Sequence, residues 1–277
     1  MMSFKKKLIR LHWFFSSQCG IDPLILLKSL RGIPFYIVDL INFKKKYSGK
    51  LNFMPCLHDR NAEGGATNNE YFWQDLLVAR LVFDAKPRKH IDIGSRVDGF
   101  VAHVASFRNV EVFDVRPISA YIPGVTFKKA DLMLRDSLPL NKSGYCDSIS
   151  CLHAIEHFGL GRYGDPINPK GYVNGIENMA ALLEKDGILY LSTPIGREKV
   201  DFNANRIFNP NNLISLAKLN DLEFIDLTIV DPKGLNMKKV TANEDLLELS
   251  DDDYHLGIFI FKKLTAGSMK SAVESDC

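Results

Sequence analysis

Three side chains able to carry or bind a proton, His153, Glu156 and His157, stand within five residues of one another. Arg162, Tyr163 and Asp165 follow in a glycine-rich stretch, GLGRYGDP. Histidine titrates near neutrality, so this grouping suits removal of a proton from a hydroxyl as a new bond forms to it. His157 is the expected base, with His153 and Glu156 behind it, and Arg162, Tyr163 and Asp165 are expected to hold a polar acceptor. The spelling HAIEH also matches the H-x-x-E-H pattern of inverted zinc peptidases. That chemistry needs both histidines on one face of a continuing helix, whereas Gly159, Gly161 and Gly164 come directly after, each costing a helix about 1 kcal/mol relative to alanine. No metal site is therefore expected. The alternative to catalysis is that Glu156 and His157 bond to backbone and shape the loop.

A second chemistry lies upstream, in residues 89–99, KHIDIGSRVDG. His90, Ile91 and Ile93 suit a short buried strand, Asp92 ends it, and Gly94 allows the sharp turn into a helix that residues with a Cβ resist. In open α/β sheets this first turn lies where ligands bind. A dinucleotide site would place glycines at G-x-G-x-x-G, the middle one admitting the pyrophosphate. Here those positions are Gly94, Arg96 and Gly99, so a long cation stands where the phosphates would pass. S-adenosylmethionine carries no phosphate and needs no such gap. A further apolar run, residues 110–113, ends in Asp114, a carboxylate suited to both hydroxyls of a ribose.

The elements that position these groups alternate along the chain. Residues 125–127 read as a third strand followed by Asp131, and residues 145–152 as a fourth that delivers His153. A helical pattern at Ile176, Met179, Ala180, Leu182 and Leu183 is expected to end at Gly187 in a left-handed residue. Residues 188–192 then form a fifth strand, closed by Pro194. After Pro210 a helix is followed by strands at 222–230 and 256–261, expected to pair antiparallel because no crossover helix is evident between them. Ahead of the glycine turn, Thr67 and Glu70 are spaced as a capping box before apolar positions Phe72, Leu76, Ala79 and Phe83.

HIDIGSRVDGF, EVFDVRP, DSISCLHAIEHF and LLEKDGILYLSTP together resemble the class I S-adenosylmethionine-dependent methyltransferases, over about residues 67–264. The runs YFWQDLLVAR and CLHAIEHFGLGRYGDP are similar to a bacterial family known only as a domain of unknown function and associated with surface-polysaccharide synthesis. The resemblance implies an α/β, Rossmann-like, seven-stranded and mostly parallel sheet with one antiparallel edge strand. It implies S-adenosylmethionine as cofactor and a sugar or glycan hydroxyl as acceptor. The implied cofactor contacts are Asp92, Gly94, Ser95, Arg96, Gly99, Asp114, Asp131 and His153, joined by Tyr71 and Gln74 from the preceding helix, where Trp73 reads first as packing. One departure stands out: the second and third glycines of the usual G-x-G-x-G are Arg96 and Asp98. Two other readings stay open, a nicotinamide-dependent sugar-modifying enzyme and a non-catalytic relative that docks onto a membrane assembly.

The chain has 277 residues, 46% of them apolar, enough for one α/β core with an extension. Its five cysteines, Cys19, Cys56, Cys146, Cys151 and Cys277, show no C-x-x-C spacing, so neither a disulfide framework nor a zinc ribbon is expected and a cytoplasmic setting is the simplest. The organisation reads as a basic extension over 1–66, a catalytic domain over 67–264 and a loose tail over 265–277. Net charge is +2, but the first fifty residues hold ten Lys or Arg against Asp22 and Asp39. The remainder is acidic, which argues against nucleic acid. In the extension Phe4, Leu8, Leu11 and Phe15 share a helical face opposite Lys6 and Arg10, a pattern suited to an anionic membrane surface or to a packed cap. The apolar stretch 24–43 is broken by Lys28, Arg31, Pro34 and Asp39 and is not expected to span a bilayer. Oligomeric state is not legible.

Overall fold

A computed structural model describes residues 4–65, 67–140, 144–231, 236–240 and 243–264. The expected tail, 265–277, lies outside the described residues, Cys277 with it. The chain divides into two compact units, Met1–Ala66 and Thr67–Cys277.

The first unit holds helices α1 (Phe4–Gln18) and α2 (Pro23–Lys44). Asp22 caps α2 by accepting from the amides of Leu24 and Ile25 at 2.8 and 3.2 Å, and Pro23 sits in the first turn where its missing N–H costs nothing. His12 Nε2 meets the same Asp22 carboxylate at 3.2 Å and pins the corner between the helices. Among the described residues no helix is long and apolar enough to cross a membrane.

The second unit opens with α3 (Glu70–Ala85), followed by β1 (His90–Ile93). A π turn at Val97–Val101 runs into the short α4 (Ala102–Ala105), and β2 (Val110–Asp114), β3 (Val125–Lys129) and β4 (Cys146–Leu152) follow. Next come α5 (Gly171–Leu182), β5 (Leu183–Ile195), a small hairpin of β6 (Lys199–Asp201) and β7 (Asn205–Ile207), and α6 (Pro210–Leu219). The unit closes with β8 (Leu222–Val230), β9 (Met237–Val240), α7 (Asn243–Asp251) and β10 (His255–Lys263). The sheet order is β3-β2-β1-β4-β5-β10-β8-β9. Pairing is parallel from β3 through β5, and β10 is antiparallel to both of its neighbours. The architecture is thus α/β and Rossmann-like, with two differences from expectation. The reversed strand is inserted between β5 and β8 rather than lying at the edge. An eighth strand, β9, occupies the edge instead, antiparallel to β8.

Alternation along the central strands serves two buried faces. Ile91 and Ile93 of β1 join Ile149, Cys151, Leu189 and Leu191 in the core under α5 and α6, where Met179, Leu182 and Leu213 are also buried. On the opposite face Val78 and Val82 of α3 pack with Phe100, Val104, Val112, Leu152 and Ile258. Phe100, wholly buried, contributes the roughly 1.5–3 kcal/mol that burial of a large apolar side chain is worth. Trp73 packs against this second cluster.

Three local expectations are corrected. Asn69, not Thr67, caps α3, its side chain accepting from the Phe72 amide at 2.9 Å, so Glu70 is free of the capping box. Gly187 does not end α5. The helix stops at Leu182, Asp186 takes the left-handed conformation (φ 64°), and the register jumps from Cys146 opposite Leu183 to Ser148 opposite Ile188. Finally, β8 and β10 do pair antiparallel, but β9 and α7 lie between them in sequence.

Candidate active site

Parallel strands β1, β2 and β4 end side by side, so their carboxyl-end loops converge on one rim. The glycine turn after β1 is fixed from below. Gly94 has φ +68°, its amide donates to Phe113 O at 2.9 Å, and a Cβ there would stand 3.0 Å from that of Ala154. Asp92 is fully buried and points inward. It accepts from the Ser95 amide at 3.1 Å and from the hydroxyls of Ser95 and Ser150 at 2.5 and 2.6 Å. Burial lifts its pKa to about 6 against those donors. Ser95 Oγ in turn accepts from the Leu152 amide at 3.2 Å. The expected ligand contacts Asp92 and Ser95 therefore pin the turn to β4 instead of facing the rim. His90 continues the line, bonded through Nδ1 to Ser148 Oγ (2.8 Å) and through Nε2 to Ser150 Oγ (3.1 Å). Its burial depresses the pKa to about 3, so it stays neutral.

Arg96 turns outward and closes a two-toothed contact with Asp98, Nε to Oδ1 at 3.1 Å and Nη2 to Oδ2 at 2.6 Å. Gly99 lacks a Cβ where Asp75 passes: one built there would lie 2.3 Å from Oδ2. Gln74 is equally committed, donating to Asp75 Oδ1 at 2.9 Å and accepting from the Ser192 hydroxyl. It is an interior hydrogen-bonding residue, not a rim contact. Asp131 caps its own turn through the Met133 amide at 2.8 Å.

Asp114 does reach the rim, and it has a partner the sequence reading missed. Arg116 donates its backbone N–H to Oδ1 at 2.8 Å and its Nη2 to Oδ2 at 2.5 Å, while the same Nη2 reaches Gly94 O at 3.1 Å. The guanidinium thus bridges the glycine turn and the acid, with its carbon 4.6 Å from the centre of the Tyr163 ring. The signal was the spelling DVRP, since an arginine two residues after a strand-end aspartate can fold back onto it.

The proton-bearing cluster is assembled by a tight turn after β4. His153 takes φ 51°, and Ile155–His157 form one turn of 3-10 helix, not a continuing α-helix. Glu156 is buried, with Oε1 2.8 Å from His153 Nδ1 and 3.6 Å from His157 Nε2. On its other side His153 Nε2 lies 3.3 Å from Glu70 Oε1, an ion pair off the axis of a hydrogen bond, so that nitrogen has no hydrogen-bond partner. Burial pulls the His153 pKa down, yet Glu156 and Glu70 outweigh it and raise the value to about 9. His153 is a cation at neutral pH and cannot serve as the base. Burial and Arg162 instead lower the His157 pKa against the pull of Glu156, leaving that ring neutral and able to accept a proton.

Around this pair the structure gathers Tyr71, whose ring lies 4.5 Å from that of His153, and Tyr163, edge-on to His157 at 5.5 Å. Arg162 Nη1 stands 3.4 Å from His157 Nδ1 and donates to Ala204 O at 2.9 Å. Asp165 is not on the open side. Its Oδ2 accepts from the amides of Gly159 and Gly161 at 2.9 and 3.2 Å and ties the glycine loop together. Arg206 of β7, also missed, is buried and donates to Phe158 O at 2.6 Å and to Glu156 O at 3.3 Å, holding the turn from beneath. Tyr254 donates to both Glu70 oxygens at 2.7 and 2.8 Å. Among the described residues no group of three or more His, Cys, Asp or Glu could hold a metal ion.

The groups present fit a nucleoside with a vicinal diol better than a pyrophosphate. Asp114 stands at the tip of β2 and Gly94 opens the turn, while Arg96 is spent on Asp98. Arg116, half-exposed, would have to share or release the acid.

A family described as "Caenorhabditis protein of unknown function, DUF268" matches residues 140–241, the stretch carrying the His153 cluster and β5. Its description does not mention polysaccharide. No curated protein matches the chain. The chain is similar in structure to a 1,6-didemethyltoxoflavin-N1-methyltransferase of Burkholderia thailandensis solved with S-adenosylhomocysteine, at 16% identity and TM-score 0.47, over 84% of this chain and 91% of that one. It is similar to the N-methyltransferase NodS of Bradyrhizobium japonicum, at 12% identity and TM-score 0.47, over 74% and 91%. The [4+2]-cyclase SpnF is a further likeness, at 15% identity and TM-score 0.47, over 69% and 82%.

Proposed function

We propose that the chain is an S-adenosylmethionine-dependent methyltransferase acting on a hydroxyl of a sugar or glycan, of the kind used in surface-polysaccharide synthesis. One juxtaposition supports this reading. The nucleoside-suited acid Asp114 and the neutral His157 are linked on one rim through Arg116 and Tyr163. The cofactor, when bound, supplies an activated methyl group, so the protein need only align the acceptor oxygen, exclude water and take one proton. His157 is the group for that proton. Glu156, 3.6 Å from Nε2, favours the imidazolium once it forms. His153, already cationic, keeps Glu156 ionised and in place. Arg162 and Tyr163 flank His157 and would orient a polar acceptor. A cytoplasmic setting is part of the same proposal and rests on the two buried thiols Cys146 and Cys151.

A second reading, a non-catalytic relative, is favoured by one observation, the Arg116 guanidinium seated on Asp114. Methyl transfer from labelled S-adenosylmethionine to a panel of free sugars, nucleotide sugars and bacterial glycan extracts separates the two. Label in a sugar fraction that disappears with His157→Ala supports the methyltransferase. Absence of both transfer and cofactor binding supports the non-catalytic reading.

A further inference from the structure

We propose that the outward face of α2 is a docking surface for an anionic lipid bilayer, on which the helix lies flat. The inference concerns the first unit alone and does not rest on the methyltransferase reading. At 22 residues α2 is about 33 Å long. Lys28, Arg31, Asp39 and Asn42 recur at helical spacing on one side. That side is partly used within the unit: a Cβ at Gly32 would lie 1.8 Å from Leu57 O, and Arg60 pairs with Asp39 while lying 4.9 Å over the Phe35 ring.

The opposite side carries Leu26, Leu30, Ile33, Ile37 and Ile41, successive at three- and four-residue steps, and these are 39 to 59% exposed. The helix has no buried residue at all. In α1 Trp13, Phe14 and Phe15 are likewise exposed. A continuous apolar face of this length needs a cover.

Charge selects the cover. The first fifty residues carry ten Lys or Arg against two acids, and Lys44, Lys45 and Lys46 stand exposed at the end of the apolar face. Two copies of the unit would bring like charges together, whereas an anionic leaflet attracts them. Insertion is in the plane and not across it, because Lys28, Arg31 and Asp39 would otherwise enter hydrocarbon.

The test is co-sedimentation of the full chain with vesicles of phosphatidylcholine alone or mixed with a third of phosphatidylglycerol, at low and high salt. Binding to the anionic vesicles that salt weakens is expected. Replacing Lys44, Lys45 and Lys46 by Ala should lower partitioning about a hundredfold. The pair Ile33→Ser and Ile37→Ser should lower it about tenfold or more. Both variants should melt as the parent does, since the altered side chains are exposed. No sedimentation with anionic vesicles would overturn the proposal, as would equal, salt-insensitive binding to neutral ones. So would lipid-free oligomers of the full chain that the Ile33 and Ile37 changes dissolve, which would make the face a contact between copies.

Discussion

Replacing Glu156 by Gln removes the anion at the centre of the proton-bearing cluster while keeping its shape. The side chain is buried and faces His153 Nδ1 at 2.8 Å, so the loss falls on an imidazolium that is itself buried. Burial depresses that imidazolium, but Glu156 and Glu70 raise its pKa from 6.5 to about 9. That rise is carried by two acids, of which the substitution removes the nearer, and breaking a buried ion pair from one side typically costs about 3–5 kcal/mol. A raised folded-state pKa gives stability that is fully present below pH 6.5 and is lost as the pH rises through about 9. Glu156 has the opposite sign. Burial opposes its ionisation, His153 and His157 overcome it, and its pKa falls below 4.5, so its share is present above that pH and fades in acid. Urea denaturation followed by tryptophan fluorescence should find Glu156→Gln about 3 kcal/mol less stable than the parent at pH 6. The gap should narrow by pH 9.5, where most of the parent's His153 has lost its proton too. A negligible gap at pH 6, or one that widens towards pH 9.5, would refute the placement of a charged His153 between two acids.

Asp114→Ala should weaken binding of S-adenosylhomocysteine about tenfold to a hundredfold, the worth of hydrogen bonds to a charged group. Arg116→Ala should strengthen it by freeing the acid, both read by calorimetry. Gly94→Ala should destabilise the fold by about 1–2 kcal/mol, the cost of a Cβ in the left-handed region, measured as a lowered denaturation midpoint. Given an acceptor, His157→Ala should reduce turnover about 10²- to 10⁴-fold with cofactor affinity intact. Parent turnover should fall as acid protonates His157 through its depressed pKa.

Most strands of the main sheet were legible because buried strands are short apolar runs between turn residues, and β1, β2 and β4 all show them. What was not legible follows from packing at a distance. β9 is mostly exposed, and its MKKV spelling carries no apolar run. Asn69 displaced Thr67 as the cap because either residue satisfies the local rule and only the path of the chain decides. In the candidate site, the residues grouped from sequence do lie near one another, but the sequence could not say which way a carboxylate turns. Asp92, Asp114 and Asp165 are alike as letters, yet one faces the interior, one the rim and one its own loop. The different charge states of His153 and His157 arise because Glu156 and Glu70 hold the proton on the first while burial, helped by Arg162, disfavours it on the second, and Glu70 lies more than eighty residues away.

Whether the glycine turn accepts a phosphate-free nucleoside or a dinucleotide decides between the readings of this site. Calorimetric titration of the full chain with S-adenosylhomocysteine, and separately with NAD and NADP, tests this directly. Saturable one-to-one binding of S-adenosylhomocysteine that Asp114→Ala weakens, with no heat from either dinucleotide, is the result expected. Tight binding of NAD or NADP, or S-adenosylhomocysteine affinity indifferent to Asp114, would contradict it.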